Sequence, residues 1–339
     1  MLRRKQRNEN AAMSDEETGN SAETLTLRVP ETESGARLDA YLAARVKDFS
    51  RARIKRLIED GDVIIAGRAD VKPSYKLHAH DEIEIELNSP LASNFAPENI
   101  PVEIVYEDGD IAVVNKPAGL VVHPGAGQAS GTLANALAHR FQNLPVRGAS
   151  LIQQSRPGIV HRLDKDTSGL IVVARNLKAH ENLSDQFRNR EVFKNYVALV
   201  HGRVAEDAGR IDQPIARDPS RRTRMAVVRG GRPALTLYRV RQRFERFTLL
   251  DVEIKTGRTH QIRVHLEWLK HPVVSDKTYG GGRDCNLSDV PQLRARLAAL
   301  DRQFLHAEKL SFRHPQSGEK LSFTAALPAA LAEFLDYLA

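Results

Sequence analysis

The chain has 339 residues, 41% of them apolar, and a formal net charge of +7. This length and apolar content predict two domains with a sizeable buried core. A single cysteine, Cys285, excludes an internal disulfide and a cysteine-ligated metal cluster, and no apolar run approaches the roughly 20 residues of a membrane helix. We therefore expect a soluble, cytoplasmic protein, and its positive charge favours a polyanionic partner.

The first segment, residues 1–24, is polar and lacks hydrophobic periodicity. Such a composition predicts a disordered tail. No apolar segment follows its basic first residues, so we do not expect a secretory signal. Met13 is an alternative start of translation.

The unit after the tail is predicted to contain two helices and a strand pair. Apolar residues at helical spacing predict a first helix from Leu38, and Ser50 and Gly61 bracket a second one as its N-cap and its terminating glycine. Residues 63–65 are all apolar, and residues 83–87 alternate between apolar and charged side chains. Both patterns predict strands. The unit is therefore a small α+β domain.

The second predicted helix and the residues before it are strongly basic. Six basic residues stand against Asp48 alone between positions 45 and 56: Arg45, Lys47, Arg51, Arg53, Lys55 and Arg56. A solvated surface and a nucleic-acid contact both fit such a charge run. The order of elements resembles the S4 RNA-binding domain, with its Arg-Leu-Asp start, Ser-Arg helix and Gly-x-Val hairpin. The resemblance implies that four of these residues contact RNA: Arg51, Arg53, Lys55 and Arg56.

A proline-punctuated linker at residues 91–100 separates this S4-like domain, residues 25–90, from a second domain at residues 101–339. A glycine-rich loop at residues 125–131 superficially suggests a phosphate cradle. It lacks the Gly-Lys-Ser/Thr ending of a phosphate-binding loop and the spacing of a dinucleotide fingerprint. We therefore expect no nucleotide cofactor.

The most informative stretch is residues 161–170, His-Arg-Leu-Asp-Lys-Asp-Thr-Ser-Gly-Leu, which connects two apolar runs that predict buried strands. The connection carries four charged side chains, Arg162, Asp164, Lys165 and Asp166. The charge pattern alone allows two interpretations. These residues pair with one another on a solvated turn, or they belong to a loop that carries polar chemistry.

This stretch resembles the signature motif of the RluA-type pseudouridine synthases, His-Arg-Leu-Asp-x-x-Thr-Ser-Gly, without interruption. The resemblance implies that Asp164 is the catalytic aspartate and that Asp166 occupies a variable position. Lys-x-Tyr-x-Ala at Tyr196 resembles the second motif of the family, whose tyrosine lies against the target base. Residues 257–265 resemble the third motif, Gly-Arg-Thr-His-Gln-Ile-Arg-Val-His. The fold implied is α+β, a mostly antiparallel mixed sheet flanked by helices.

The chemistry of this family needs an ionised carboxylate, whether Asp164 attacks C1′ of the nucleotide or removes a proton from C2′. A nearby arginine favours the ionised form. The first choice for this arginine is Arg263, because of its place in the third motif. It also lies near the positive N-terminus of a helix that Thr259 is expected to cap, where a fixed carboxylate partner would explain a cation. Arg258 is the second choice and a candidate RNA contact, and we expect Arg162 at the mouth of the pocket.

A second basic segment lies at residues 217–224. For a protein that resembles RNA-binding enzymes, phosphate contact is favoured over a solvated loop, and the candidates are Arg221, Arg222 and Arg224. His260 and His265 lack cysteine or carboxylate companions at ligand spacing, so we expect no zinc site.

The resemblance implies an RNA pseudouridine synthase, an isomerase that needs no cofactor. An S4-like domain ahead of an RluA-type domain most resembles the large-subunit branch. The expected partner is therefore 23S-type ribosomal RNA or an assembling large subunit, bound by a monomer. Two alternatives remain, a catalytically silent RNA-binding assembly factor and a glycoside hydrolase, although the hydrolase chemistry commonly uses a second carboxylate.

Overall fold

We analysed a computed structural model of the chain. The structure describes residues 23–46, 51–59, 61–65, 67–68, 70–87, 96–124, 128, 130–141, 158–221, 224–286 and 290–339. Several predictions fall outside the described residues, namely those on the tail before residue 23, on Ser50, on Arg222, on most of the loop 125–131 and on the side chains of Arg51, Arg53 and Arg56.

The N-terminal unit is a three-stranded antiparallel sheet with two helices. Its elements are β1 (Glu23–Arg28), α1 (Leu38–Arg45), α2 (Arg51–Glu59), β2 (Val63–Ile65) and β3 (Glu82–Leu87), with a short 3-10 helix at Glu31–Glu33. The strand order is β1-β3-β2. The predicted helices and the predicted strand pair are present. Strand β1 is an addition that the sequence interpretation missed, although its leucines alternate as strand residues do.

This unit has a hydrophobic core of its own. Leu42, Ile54 and Ile83 have no exposed surface and belong to one cluster of buried residues. That cluster draws on positions 29–85 and, among the described residues, shares no member with the clusters further along the chain. The unit therefore folds around contacts between its own helices and sheet.

The rest of the described chain contains eleven strands and five α-helices. The strands are β4 (Glu103–Glu107), β5 (Ile111–Lys116), β6 (Ser168–Ala174), β7 (Phe193–His201), β8 (Ala208–Asp212), β9 (Ile215–Arg217), β10 (Met225–Val227), β11 (Leu235–Arg243), β12 (Phe247–Ile254), β13 (Leu305–Arg313) and β14 (Lys320–Thr324). The helices are α3 (Leu133–Arg140), α4 (Leu177–Arg188), α5 (Gln261–Trp268), α6 (Pro291–Leu300) and α7 (Ala329–Leu338), with a 3-10 turn at Arg283–Asn286.

Nine of these strands form one mixed sheet, in the order β4-β5-β6-β13-β7-β12-β11-β8, and β14 pairs with β13. Strands β6 and β13 run parallel, and the other described pairs in this sheet are antiparallel. The predicted fold, a mostly antiparallel mixed sheet flanked by helices, is confirmed. In the described part of the chain, no helix is long and apolar enough to span a membrane.

The parallel contact between β6 and β13 depends on Gly169. Its φ of 114° lies in a region that L side chains rarely adopt. A Cβ at this position would lie 2.3 Å from the carbonyl oxygen of Ala307. Only glycine permits this approach, and it brings the loop before β6 against the middle of the sheet.

The sequence predicts a helix that Asn176 caps, that runs through Arg190 and that has Leu177 among its inward-facing residues. Helix α4 begins as predicted, because the side chain of Asn176 accepts a hydrogen bond from the backbone N–H of Ala179 at 2.9 Å. Two details differ. The helix ends at Arg188 rather than Arg190. The expectation that Leu177 faces inward is wrong, since 48% of its surface is exposed, because the first position of this helix turns away from the sheet.

Helix α5 begins at Gln261, and its N-cap is His260 in the left-handed conformation, with a φ of 54°. The prediction that Thr259 caps this helix is therefore wrong. The side chain of Gln261 organises the turn instead, because its Oε1 accepts hydrogen bonds from the backbone of Arg258 and from the hydroxyl of Thr256. This turn aims the first residues of α5 at the loop before β6.

Candidate active site

The predicted catalytic residues meet in one cleft. It encloses about 500 Å³ of space, part of which is open to solvent. Its walls come from the loop before β6, from β7 and from the turn that leads into α5. Five residues proposed from the sequence line it: Arg162, Asp164, Tyr196, Arg258 and Arg263.

Asp164 and Arg263 form an ion pair at the bottom of this cleft. Nη1 of Arg263 donates a hydrogen bond to Oδ2 of Asp164 at 3.0 Å, and the side chains are 7% and 18% exposed. Burial raises the pKa of Asp164, but the charges of His260, Arg263 and Arg162 outweigh it and lower this pKa to about 2. Since burial lowers the pKa of His260, the two arginines supply the stabilising charge at neutral pH. Asp164 is therefore ionised there.

A second carboxylate, which the sequence interpretation missed, fixes the orientation of Arg263. Asp276 accepts hydrogen bonds from Nε and Nη2 of Arg263 at 2.6 and 2.9 Å, and its side chain has no exposed surface. Two backbone N–H groups, from Thr278 and Tyr279, also donate to it. A bidentate pair holds a guanidinium plane in one orientation, so Asp276 directs Nη1 of Arg263 to Asp164. The sequence feature that could have indicated Asp276 is its position between a short apolar run and a Tyr-Gly-Gly-Gly stretch.

Tyr279 links Arg263 to His260. Its ring centre lies 4.9 Å from the guanidinium carbon of Arg263, and its hydroxyl accepts a hydrogen bond from the backbone N–H of Met225 at 2.9 Å. The same hydroxyl then donates its own hydrogen bond to Nδ1 of His260, also at 2.9 Å. This contact favours the His260 tautomer with its proton on Nε2, and His260 lines the cleft beside Asp164.

The residues after Asp164 attach its loop to β13. Nε2 of Gln303 donates to the hydroxyl of Thr167 at 2.9 Å, and the hydroxyl of Ser168 lies 2.8 Å from Nδ1 of His306. The backbone N–H of Thr167 donates to the carbonyl of Asp164 at 3.2 Å, which closes the turn. The Thr-Ser-Gly part of the motif therefore anchors the loop that carries the carboxylate.

A buried lysine supports the same loop from the other side. Lys116 has no exposed surface, and its Nζ donates to the carbonyls of Pro117, Leu120 and Lys165 at 2.7 to 2.9 Å. Burial lowers the pKa of Lys116 to about 7. Three carbonyl acceptors use all three N–H groups of an ammonium, so the protonated form ties β5 to this loop. We call residues 161–167 the catalytic loop, because they carry the predicted catalytic residue Asp164.

Tyr196 presents an aromatic surface to the cleft. It lies on β7 opposite Val252 of β12, and 6% of its surface is exposed. Burial raises the pKa of its phenol, so the hydroxyl keeps its proton. The ring of this neutral phenol, next to the carboxylate of Asp164, offers a stacking surface for a planar base.

Comparison with known proteins agrees with this geometry. Residues 110–268 match the family model described as RNA pseudouridylate synthase. The chain is 40% identical over 315 residues to the Bacillus subtilis (strain 168) protein named "Uncharacterized RNA pseudouridine synthase YlyB", covering 93% of this chain and 98% of that protein. The chain belongs to the RNA pseudouridylate synthase family.

Two further comparisons are consistent with this assignment. A Xanthomonas campestris protein named ribosomal large subunit pseudouridine synthase D is 43% identical over 310 residues, which cover 91% of each chain. The solved structure of human RNA pseudouridylate synthase domain containing 1 is 28% identical, with a TM-score of 0.53, and covers 68% of this chain and 85% of that one. The predicted family and the predicted class of activity, an isomerase that acts on uridine in RNA, are confirmed. The S4-like nature of the N-terminal unit stays a prediction.

A basic groove leads from the cleft of this pseudouridine synthase to its N-terminal unit. We call it the interdomain groove, and among the described residues seven basic side chains line it: Arg162, Arg188, Arg190, Lys194, Arg232, Lys255 and Arg258. Glu59 and Asp70 of the N-terminal unit form its other side. An ion pair between Asp62 and Arg232 joins the two units beside the groove. Of the residues predicted to bind RNA, Arg258 lies in it.

The described residues of the basic segment, 217–221 and 224, lie at the end of the β9–β10 hairpin. Arg221 is exposed there. Arg224 is mostly buried, with its guanidinium 3.5 Å from Asp218, 3.4 Å from Glu267 and 4.8 Å from the centre of the Tyr279 ring. The structure therefore places Arg224 in an internal network behind the cleft and leaves Arg221 accessible to solvent.

The other predicted RNA contacts lie on α2. Lys55 is exposed and lies 3.8 Å from Glu59, one helical turn away. Such an exposed pair contributes little to stability. Lys55 is therefore accessible to a phosphate on the surface of the N-terminal unit.

One cluster in the described ranges has the composition of a metal site, Asp108, Asp110 and His314, with ligand atoms within 4.8 Å of one another. Its hydrogen bonds indicate a different role. Oδ1 of Asp108 accepts two backbone N–H groups, and Oδ2 accepts the hydroxyl of Tyr106 and Nε2–H of His314. Donors therefore occupy the lone pairs of Asp108. Through these hydrogen bonds the cluster links the β4–β5 turn to the β13–β14 hairpin.

Proposed function

We propose that this protein converts specific uridines of large-subunit ribosomal RNA to pseudouridine, with Asp164 as the reacting carboxylate. The observation that carries the proposal is the ionised Asp164 at the base of a cleft, paired with Arg263 and adjacent to the ring of Tyr196. The relatives named ribosomal large subunit pseudouridine synthase D support the choice of substrate.

The reaction breaks the C1′–N1 bond of uridine and joins C1′ to C5 of the same base. Nothing is added or removed, because the proton that leaves C5 balances the one gained at N1. Asp164 acts on the sugar, at C1′ as a nucleophile or at C2′ as a base, and either step needs the ionised form. Arg263 maintains that form by opposing the effect of burial.

The uridine has to leave its stack before it reaches the cleft, which costs a few kcal/mol. Stacking of the freed base on the Tyr196 ring returns about 1–3 kcal/mol. Arg162 and Arg258 at the edge of the cleft hold the sugar–phosphate backbone. Phosphate contacts of this kind give position and affinity with little sequence discrimination.

The basic residues outside the cleft add RNA affinity. We assign phosphate contacts to Arg51, Arg53, Lys55, Arg56, Arg221 and Arg222. Arg224 contributes through its network behind the cleft rather than by direct contact. We also propose that the protein acts as a monomer, consistent with Asp164, Tyr196 and Arg263 of one chain meeting in one cleft.

Two alternatives from the sequence fit less well. A glycoside hydrolase commonly needs a second carboxylate as acid or base, but Asp276 has no exposed surface and is held by Arg263. A silent assembly factor has no need for an ionised carboxylate that is hydrogen-bonded to Arg263 and stabilised by the charge of Arg162 inside a cleft. The geometry therefore favours catalysis at Asp164.

The experiment is a map of pseudouridines in all RNA of a strain that lacks the gene. We expect a small set of pseudouridines in large-subunit ribosomal RNA to disappear and to return with the wild-type gene but not with Asp164→Asn. An unchanged map would overturn the proposal, and loss confined to transfer RNA would overturn the substrate. Purified protein incubated with the same RNA separates the alternatives, because a hydrolase releases uracil.

A further inference from the structure

Lys194 lies in the interdomain groove close to the cleft. It is two residues before Tyr196 on β7, and both side chains line the groove. Side chains two apart on a strand point to the same face, about 7 Å from each other. A nucleotide whose base reaches Tyr196 through the groove therefore passes next to Lys194.

The surroundings of Lys194 are cationic. Among the described residues, Lys255 is the charged group with the strongest effect on the pKa of Lys194. Lys255 is itself paired with Glu253. Nζ of Lys194 lies 5.5 Å from the centre of the Phe187 ring, and in the part of the chain that the structure describes no carboxylate pairs with it. A partly buried ammonium without an anionic partner is uncommon, because desolvation of a charge is costly.

Burial, followed by the charge of Lys255, lowers the pKa of Lys194 to about 8. In the free protein the charged form is therefore disfavoured relative to a lysine in water. An anion bound at Nζ reverses this effect and raises the pKa again. The geometry of the groove and this electrostatic state both indicate a site for an anionic ligand.

We propose that Lys194 binds a backbone phosphate of the RNA beside the uridine whose base lies on Tyr196. This site rests on the proposed function and adds a phosphate position to it. A phosphodiester fits the groove because its negative charge is permanent. The following phosphates of the RNA strand can then meet Arg188 and Arg190 at the end of α4, which line the same groove. Lys194 then fixes the register of the strand, while Asp164 acts on the sugar.

Several other groups face Lys194 and have to be controlled. They are Lys255 after β12, Arg188 and Arg190 at the end of α4, His161 and Arg162 on the catalytic loop, and Glu59 and Asp70 from the N-terminal unit. Burial and the charge of Lys194 lower the pKa of His161 to about 3, so His161 is neutral in any assay near neutral pH. A variant that keeps a permanent charge at position 194 separates Lys194 from the remaining groups.

The first test measures RNA affinity against salt concentration for the full-length wild type, Lys194→Gln and Lys194→Arg. Lys320→Gln is the matched control, because Lys320 is an exposed lysine on β14. We expect Lys194→Gln to weaken binding about 3- to 10-fold and to reduce the salt slope by about 0.7–0.9, the value of one phosphate contact. Lys194→Arg should keep the slope. Equal slopes for Lys194→Gln and Lys320→Gln would overturn the site.

The second test uses pH. Binding of a phosphate at Lys194 takes up a proton, so wild-type affinity should fall as the pH rises from about 7 to about 9. Lys194→Arg stays charged over this range and should lose that part of the pH dependence. Identical pH profiles for the wild type and Lys194→Arg would count against the proposal.

The third test identifies the phosphate. RNA oligonucleotides carry one uncharged methylphosphonate at each linkage flanking the target uridine in turn. One linkage should weaken wild-type binding but leave Lys194→Gln unaffected, and coupling at no linkage would contradict the proposal. Pseudouridine formation by the wild type on the same RNA is measured in parallel. Failure there overturns the proposed function, whereas normal turnover without coupling overturns the Lys194 site alone.

Discussion

Asp276 holds Arg263 by two hydrogen bonds, at 2.6 and 2.9 Å, while Arg263 reaches Asp164 by one, at 3.0 Å. One arginine is thus shared between a structural carboxylate, Asp276, and the proposed reactive one, Asp164. The bidentate contact fixes the guanidinium plane, and the single contact leaves an oxygen of Asp164 available to the substrate. Single substitutions separate the role of each of the three residues.

Asp164→Asn should abolish isomerisation, because an amide can neither attack C1′ nor remove a proton from C2′. RNA affinity should change by less than about 1 kcal/mol, since phosphate contacts supply most of the binding. Turnover and equilibrium binding are measured on the same RNA. Asp166→Asn is the matched control and should retain most activity. Near-normal turnover by Asp164→Asn would refute its assignment.

Arg263→Lys and Arg263→Met separate charge from geometry. Lysine keeps the charge but loses the planar fork, and methionine loses both, so activity should fall in the order Arg, Lys, Met. The pKa of Asp164, now about 2, should rise in both variants because a stabilising cation is removed or displaced. Since the ionised form reacts, the acidic limb of the pH–rate profile should move to higher pH, by about 1–3 units in the methionine variant.

An unchanged acidic limb with equal activity in both Arg263 variants would make Arg263 an RNA contact. Arg258 would then be the better partner for Asp164. Arg258→Met, tested beside them, should weaken RNA binding without moving the acidic limb.

Asp276→Asn should reduce turnover more than RNA affinity, because it frees Arg263 to change its orientation at Asp164. Removal of one member of a buried ion pair costs about 3–5 kcal/mol of folding stability, and the remaining contact with Asp164 should keep the loss near the lower value. Denaturant unfolding and single-turnover kinetics measure the two effects. Asp301→Asn, at an exposed pair with Lys277, should leave both nearly unchanged. A loss of stability without a loss of turnover would show that Asp276 has no positioning role.

Gly169→Ala should destabilise the protein by more than about 1 kcal/mol, since alanine is strained at a φ of 114° and its Cβ would meet the carbonyl of Ala307. Because Gly169 follows the catalytic loop, turnover should fall as well. Gly109→Ala is the control, with no atom within 4 Å of the added Cβ. Unfolding free energies that match between the two variants would disprove the close approach of β6 and β13.

Replacement of Arg51, Arg53, Lys55 and Arg56 by glutamine in the full-length protein tests the basic surface of the N-terminal unit. If these residues bind phosphates, RNA affinity should fall, and the salt slope should become shallower by about 0.7–0.9 for each phosphate that is no longer neutralised. Lys178→Gln, at an exposed lysine on α4, is the control for removal of a surface charge and should keep the wild-type slope. An unchanged slope in the fourfold variant would mean that this surface is only solvated.

Much of the candidate site could be predicted from the sequence, because its proposed reactive residues lie in contiguous motifs. Asp164, Tyr196 and Arg263 each stand in a short segment that resembles a motif of the family, whereas residue type and charge alone left their roles open. Local periodicity likewise predicted α1, α4 and the strands β2, β3 and β6, since apolar spacing reflects the face that is buried. The cap at His260 was missed because a left-handed histidine depends on the side chain of Gln261, which local propensity does not describe.

The supports of the site were decided by the tertiary structure alone. Gln303 meets Thr167 across 136 positions, and His306 meets Ser168 across 138. The choice of Asp276 as the partner that orients Arg263, and of Lys116 as the tie to the catalytic loop, depends in the same way on how the sheet brings strands together.

The physical reason is that a residue's type determines what it can donate, accept or bury, whereas its partner is determined by packing. The sequence, through its resemblance to the family motifs, was enough to nominate Asp164 as the reacting carboxylate, Tyr196 as the aromatic surface and Arg263 as the cation beside the carboxylate. Only the folded sheet decided which buried groups hold them in place, because hydrogen-bond partners more than a hundred residues apart leave no local pattern in the chain.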